Sequence, residues 1–257
     1  MLSLTKYRQK LLNRVEKAVK YFDLINDGET IILGISGGKD SLFMADILYH
    51  FRRKYNKKFR MIGVHVANGI KPLYEKDKLE AFLSQRDIEF LMVEDLNTKK
   101  IIENRLKPFK PCYVCSKERR KHLIYTAKDR GINKIALAHT IDDAVETLFL
   151  NILYAREIST MVPKQSLFRD DFFVIRPIIL IEEDEIETYM KLAGITKIHE
   201  GVCPYADTSR RTTVRNILRE LYKKDPQVRK NLKHSLFECK PEYLWKKYRE
   251  FRKDILG

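Results

Sequence analysis

Three groups of residues in this chain combine types and spacings that can do chemistry. Ser36-Gly37-Gly38-Lys39-Asp40-Ser41 places two glycines, two hydroxyls, an ammonium and a carboxylate in one short run. His139-Thr140-Ile141-Asp142-Asp143, with Glu146 following, gathers three carboxylates. Cys112 and Cys115 stand three positions apart, and Cys203-Pro204 adds a third thiol much later. Glycine lets a backbone approach a phosphate closely, because no Cβ intervenes. Carboxylates beside a phosphate can hold Mg²⁺ or accept a proton. Thiolates select zinc or iron–sulfur centres over hard cations.

The flanking sequence must position these groups. Ile31-Ile32-Leu33 and Ile35 form a short apolar run of the kind that suits a strand buried on both faces of a parallel sheet. Leu42–Tyr55 follows at helical spacing. A strand, a glycine turn and a helix N-terminus together make an anion site, where free N–H groups converge and the helix dipole favours negative charge. The loop is neither G-x-x-x-x-G-K-[ST] nor G-x-G-x-x-G. Met61–Val66 reads as a second buried strand, whose end would lie beside the loop in a parallel sheet. Helix Leu73–Gln85, strand Glu89–Val93 and helix Tyr113–Arg130 follow, the last stopped by Gly131. Strand Lys134–Ala138 leads into helix Asp142–Tyr154, so Asp142 and Asp143 face the same side as Ser36–Ser41. Acids in a first helical turn also serve as caps, and that reading stands beside the chemical one. Strand Phe172–Ile175 and helix Glu182–Leu192 complete the alternation, and helical patterns cover 208–223, 226–238 and 241–255. The expected fold is α/β, a doubly wound parallel five-stranded sheet with a helical, basic C-terminal region. The expected division is an N-terminal helix over 1–26, a nucleotide domain over 27–200 and the helical region over 201–257.

Two cysteines at a helix start and a third before another helix can share one metal centre. Three thiols without a clear fourth fit a [4Fe–4S] cluster with one iron left open. Zinc completed by histidine or water is the alternative. A redox C-x-x-C pair would leave Cys203 unexplained. Cys239, beside Phe237 in an amphipathic pattern, is expected to pack as a small hydrophobe.

The chain has 257 residues, and 50 Lys and Arg against 35 Asp and Glu give it a formal charge of +15. This excess points to a polyanionic partner, most often nucleic acid. With 44% hydrophobic residues a packed core is within reach. No apolar run approaches the roughly 20 residues of a transmembrane helix. The first 22 residues are amphipathic, carry Glu16 and lack the apolar segment of a signal peptide. A cytoplasmic protein without a membrane role is expected. Arg210, Arg211 and Arg215, in the first turns of a helix after Cys203, are placed either to meet RNA phosphates or to form a solvated basic face.

Taken together these stretches resemble a known family. Ser36–Ser41 resembles the pyrophosphate loop of the ATP-pyrophosphatase (PP-loop) enzymes, which adenylate a substrate oxygen and release pyrophosphate. His139–Thr147 resembles the second motif of that family, with Ala138 in place of its usual Gly. The run CYVCSKERRKHLIYTAKDRGINKIALAHTIDDAVETLFLN, Arg176-Pro177-Ile178 and CPYADTSRRTTVRNIL resemble the tRNA 2-thiolation enzymes of the TtcA/TtuA group, the last segment the TtuA branch more than the TtcA branch. The resemblance implies a [4Fe–4S] cluster on Cys112, Cys115 and Cys203, with ATP and Mg²⁺ as further cofactors. It implies nucleotide contacts at Gly34, Ile35, Ser36, Asp40, His65, Val66, Arg119, Ala138 and Asp143, beside the loop residues Gly37, Gly38, Lys39 and Ser41. Lys39, Asp40 and Asp143 are the implied catalytic residues. Arg119 stands where the TtuA branch has a catalytic lysine, and it keeps the charge without that residue's acid–base capacity. The flanking zinc-finger cysteines of that branch are absent, and His65–Ile70 reads HVANGI where the family more often has an acidic residue. The implied function is an ATP-dependent tRNA sulfurtransferase that adenylates C2–O of a pyrimidine and replaces the oxygen by sulfur. Its partners would be tRNA and a sulfur donor (sulfide, persulfide or a sulfur-carrier protein), and a homodimer is compatible with the sequence. A lysidine-type PP-loop ligase would need the loop but not three cysteines. A non-catalytic basic RNA-binding protein would release no AMP.

Overall fold

The computed structural model describes residues 3–71, 73, 75–104, 111–198, 201, 203–205 and 209–244. Helix α1 (Leu4–Tyr21) leads to β1 (Thr30–Gly34), α2 (Lys39–Lys54), β2 (Arg60–Ala67), α3 (Lys76–Ser84) and β3 (Glu89–Glu94). A short helix α4 (Thr98–Glu103) precedes α5 (Pro111–Asp129), β4 (Lys134–Ala136) and α6 (Ile141–Leu150). Then come β5 (Lys164–Leu167), β6 (Phe172–Ile175), α7 (Glu183–Ala193), α8 (Arg210–Lys224) and α9 (Pro226–Ser235).

The strands form one six-stranded sheet in the order β3-β2-β1-β4-β6-β5. Every pair is parallel except β5 with β6. The doubly wound parallel sheet is therefore present, with one strand more than the sequence pattern supplied. Lys164-Gln165-Ser166-Leu167 has no apolar run to announce it, because an antiparallel edge strand need not be buried on both faces. It folds back through a turn in which Phe168, Arg169 and Asp170 all take positive φ.

The order reverses between β1 and β4, which makes the gap beyond their carboxyl ends a topological switch point. One face of the sheet is covered by α1, α2 and α7 in a continuous core of Leu11, Val15, Phe43, Ile47 and Tyr189, all essentially inaccessible. The other face carries α5 through Leu123 and Ala127 against Ile32, Val64 and Ile135. A separate small cluster of Val145, Val214 and Leu218 fastens α8 onto α6. The expected helix over Asp142–Tyr154 ends as an α-helix at Leu150 and continues as one π-helical turn, Asn151–Ala155. From the pattern over 241–255 only the 3₁₀ turn Pro241–Tyr243 falls among described residues, and 245–255 lie outside them.

Candidate active site

The loop after β1 is held by its own hydroxyls. Gly37 has φ +81°, a conformation that favours a residue without Cβ. The Ser36 hydroxyl accepts from the Gly38 N–H at 3.2 Å. The Ser41 hydroxyl donates to the Gly38 carbonyl at 2.9 Å and accepts from the Ser36 N–H at 3.2 Å. Gly38 is the N-cap of α2, so Lys39 and Asp40 occupy the first turn and the positive end of the helix dipole faces the switch point.

A cavity of about 250 Å³ opens there. It is lined by Gly34, Ile35, Ser36, Asp40 and Ser41 from the loop, His65 and Val66 from β2, Arg119 from α5, and Ala138. Nine of the expected nucleotide-contacting positions thus meet at one place. Gly34 is tightly fitted, since a Cβ there would come within 2.9 Å of Leu137 Cδ2. Lys39, Gly37, Gly38 and Asp143 are not in the lining. The Lys39 ammonium instead pairs with Glu183 and, at 3.2 Å, with Glu187. Burial pulls its pKa down, but Glu183, Asp40 and Glu187 outweigh this and leave it raised.

Two polar atoms in the site are buried without a hydrogen-bond partner, Asp40 Oδ1 and His139 Nδ1. Burial pushes the Asp40 carboxyl up to about 6, with Asp143 and Glu183 adding to it and Lys39 opposing. Burial pulls His139 down to about 4, against the pull of Asp143, so its imidazole is neutral at pH 7. Asp143 is fully engaged by comparison. Its Oδ2 accepts from the Thr140 N–H at 2.9 Å and the Thr140 hydroxyl at 3.1 Å, closing a capping box. Its Oδ1 accepts from Arg211 at 3.0 Å. The cap reading of Asp143 is therefore correct geometrically, and Arg211 adds to it.

Cys112 and Cys115 occupy the first turn of α5. They share a second cavity, of about 190 Å³, with Cys203, Ile70, Pro111, Ser116, Arg119 and Tyr205. Among the described residues no carboxylate or imidazole lines it, and its soft donors are the three thiols. Burial raises the Cys112 thiol, and Cys203 and Cys115 reinforce the shift, as nearby like-charging groups do. Among the described residues no three His, Cys, Asp or Glu side chains are grouped closely enough to hold a single metal ion. The Cys115 sulfur accepts from the Asn68 amide at 3.1 Å and from the Arg119 guanidinium at 3.6 Å. Arg119 and Ser116 line both cavities, so the thiols and the nucleotide cavity are neighbours. Cys239 is exposed in the segment after α9 and does not pack as a small hydrophobe.

Sequence reasoning missed several participants. His139, Arg120, Ser116 and Leu137 line the nucleotide cavity, and only His139 carried a signal, as part of the second motif. Asn68 lies in the departure HVANGI. Arg211 and Arg215, partly exposed, pair with Asp143 and Glu146, contacts the sequence did not announce.

The PP-loop domain family matches residues 5–224. A tRNA-cytidine(32) 2-sulfurtransferase of Herminiimonas arsenicoxydans is 33% identical over 240 residues, covering 93% of this chain and 75% of the relative. Its counterpart in Geobacter sulfurreducens is 32% identical over 239 residues and covers 92% of each chain. In fold, the chain is similar to the U34-tRNA thiolase NcsA from Methanococcus maripaludis, solved with its [4Fe-4S] cluster. The TM-score is 0.73 at 23% identity, over 89% of this chain and 77% of that one. A glycine loop, second motif and thiol triplet converging at a parallel-sheet switch point, together with a family match over residues 5–224 and relatives that match more than nine-tenths of this chain, place it in the PP-loop family, among its tRNA 2-thiolation enzymes.

Proposed function

We propose that this protein is an ATP-dependent tRNA sulfurtransferase that adenylates C2–O of a pyrimidine and replaces the oxygen by sulfur. The observation that carries this reading is the adjacency of the two cavities, joined at Ser116 and Arg119. A carbonyl oxygen is a poor leaving group. Attack of C2–O on the α-phosphorus forms an ester and expels pyrophosphate, and the oxygen can then leave with AMP. The α2 N-terminus and Arg119 face the cavity where pyrophosphate charge develops, and such preorganised donors stabilise a transition state. Lys39 joins them once it leaves Glu183 and Glu187. Asp40 Oδ1, without a hydrogen bond and 3.8 Å from the Lys39 ammonium, fits a Mg²⁺ ligand or a proton acceptor, whereas Asp143 serves as an oriented carboxylate beside it.

Cys112, Cys115 and Cys203 would hold a [4Fe–4S] cluster, which when bound supplies an iron with an open position for sulfur. Cytidine 32 is the position that the sulfurtransferase relatives favour. The division into an N-terminal helix, a nucleotide domain and a helical C-terminal region belongs to the same proposal, and the Val145–Val214–Leu218 contact supports a distinct seat for the last part. Mass spectrometry of tRNA nucleosides from cells lacking the protein tests the reading. Loss of one 2-thiopyrimidine is expected, and an unchanged nucleoside profile would refute it.

A further inference from the structure

Helix α8 begins seven positions after Cys203 in the sequence, and its first turns seize the second motif. Arg211 reaches Asp143 Oδ1 at 3.0 Å and stands 3.8 Å from Glu146 Oε2. One turn on, Arg215 holds Glu146 through Nε to Oε1 at 2.6 Å and Nη2 to Oε2 at 3.2 Å. Glu146 is buried, which raises its carboxyl, and the Arg215 hydrogen bond opposes the rise. Val145, Val214 and Leu218 close the apolar side of the same contact.

The two ion pairs differ in kind. Arg215 answers a buried carboxylate that would otherwise be costly to leave unpaired. Asp143 has no such need, because its cap is complete with Oδ2 alone, on the Thr140 N–H and hydroxyl. The Arg211 bond therefore adds nothing to the cap. What it does is fix the remaining oxygen, and with it the rotation of the carboxylate about its Cβ–Cγ bond.

We infer that Arg211 is a positioning residue, which sets the orientation of Asp143 for the adenylation step from the first turn of α8. The inference rests on the proposed role of Asp143. Two fixed oxygens hold a carboxylate to within the tolerance a reacting geometry demands, and misplacement by about 1 Å can cost around 10²-fold in rate.

A double-mutant cycle tests it, with ATP-dependent pyrophosphate release measured on the full chain with unmodified tRNA. Arg211→Ala and Asp143→Asn should each lower kcat while leaving the KM for ATP within about twofold of wild type, and the double variant should be no slower than the slower single one, because residues acting as a unit are non-additive. Arg211→Lys, which keeps the charge without the planar fork, should recover part of the loss and carries the cycle if Arg211→Ala does not fold. Arg215→Lys keeps a cation on the buried Glu146 without touching Asp143, and should keep most of kcat. Normal kcat in Arg211→Ala beside a crippled Asp143→Asn would overturn the inference and leave the role of Asp143 standing. So would losses that multiply, or an equal loss in Arg215→Lys. Normal turnover in Asp143→Asn would remove the reading beneath it, and both would fall.

Discussion

The side-chain amide of Asn68 lies 3.1 Å from the Cys115 sulfur, so the end of β2 grips one of the three thiols directly. Asn68 is 2% exposed, and its own carbonyl oxygen is fixed by the Ile70 N–H at 3.2 Å. The strand that offers His65 and Val66 to the nucleotide cavity therefore also orients a ligand of the thiol cavity. Removing an outer partner of a metal ligand typically costs about 10–100-fold in affinity or activity. Asn68→Ala should accordingly lose iron to a chelator faster than wild type, measured on protein purified without oxygen, while its melting temperature before chelation changes little.

Asp40 fixes a pH dependence of stability. Its carboxyl is raised to about 6 in the fold from an ordinary value of 3.8. Between those values the folded state binds more protons than the unfolded state, so stability falls as pH rises through this window and stays lower above it. Asp40→Asn removes the effect. The variant should melt about 2–4 °C above wild type at pH 7.5, a gain that vanishes below pH ~4. A gain that persists at low pH would show another cause. Pyrophosphate release should be lost in the same variant.

Lys39→Ala should abolish pyrophosphate release and barely alter melting. Its partners Glu183 and Glu187 are partly exposed, and such pairs contribute about 0–1 kcal/mol. A melting drop comparable to a core substitution would mean that Lys39 is a structural strut of α7 and not a phosphate contact.

Gly37→Ala tests the loop conformation by itself. At φ +81° a Cβ carries a penalty of about 1–2 kcal/mol. The Gly37 carbonyl also accepts from the Ile198 N–H at 3.2 Å, so a shift of the loop would be felt beyond it. Lower melting and weaker ATP binding should appear together, read by calorimetry with ATP titration.

Ser36–Ser41, His139–Glu146 and the thiol triplet were legible because each is a local pattern at a strand or helix end, and a parallel sheet sends such ends to one side. Asn68, Ser116 and Arg120 were not, since their roles depend on which helix packs over β2, and no local period encodes that. For Arg211 and Arg215 the sequence offered RNA phosphates or a solvated face but not these ion pairs, because their partners, Asp143 and Glu146, lie far earlier in the chain. β5 escaped because a polar edge strand has neither an apolar run nor alternation to betray it. Lys39 was read in the turn before a helix starting at Leu42, whereas it opens α2, and its acidic partners come from α7, whose register against α2 is set by the core around Phe43 and Tyr189.

The central claim is that one site spends ATP to put sulfur on a tRNA pyrimidine with the help of three thiols. Its most direct test is nucleoside mass spectrometry of unmodified tRNA after incubation, without oxygen, with the purified protein, ATP, Mg²⁺ and sulfide. The protein should be brown, carry about four irons per chain, and yield 2-thiocytidine together with AMP. Omission of ATP should stop the product, as should Cys112→Ala, Cys115→Ala or Cys203→Ala, whereas Cys239→Ala should leave it intact. Release of AMP and pyrophosphate without any thionucleoside, or thiolation that survives loss of Cys203, would contradict the account.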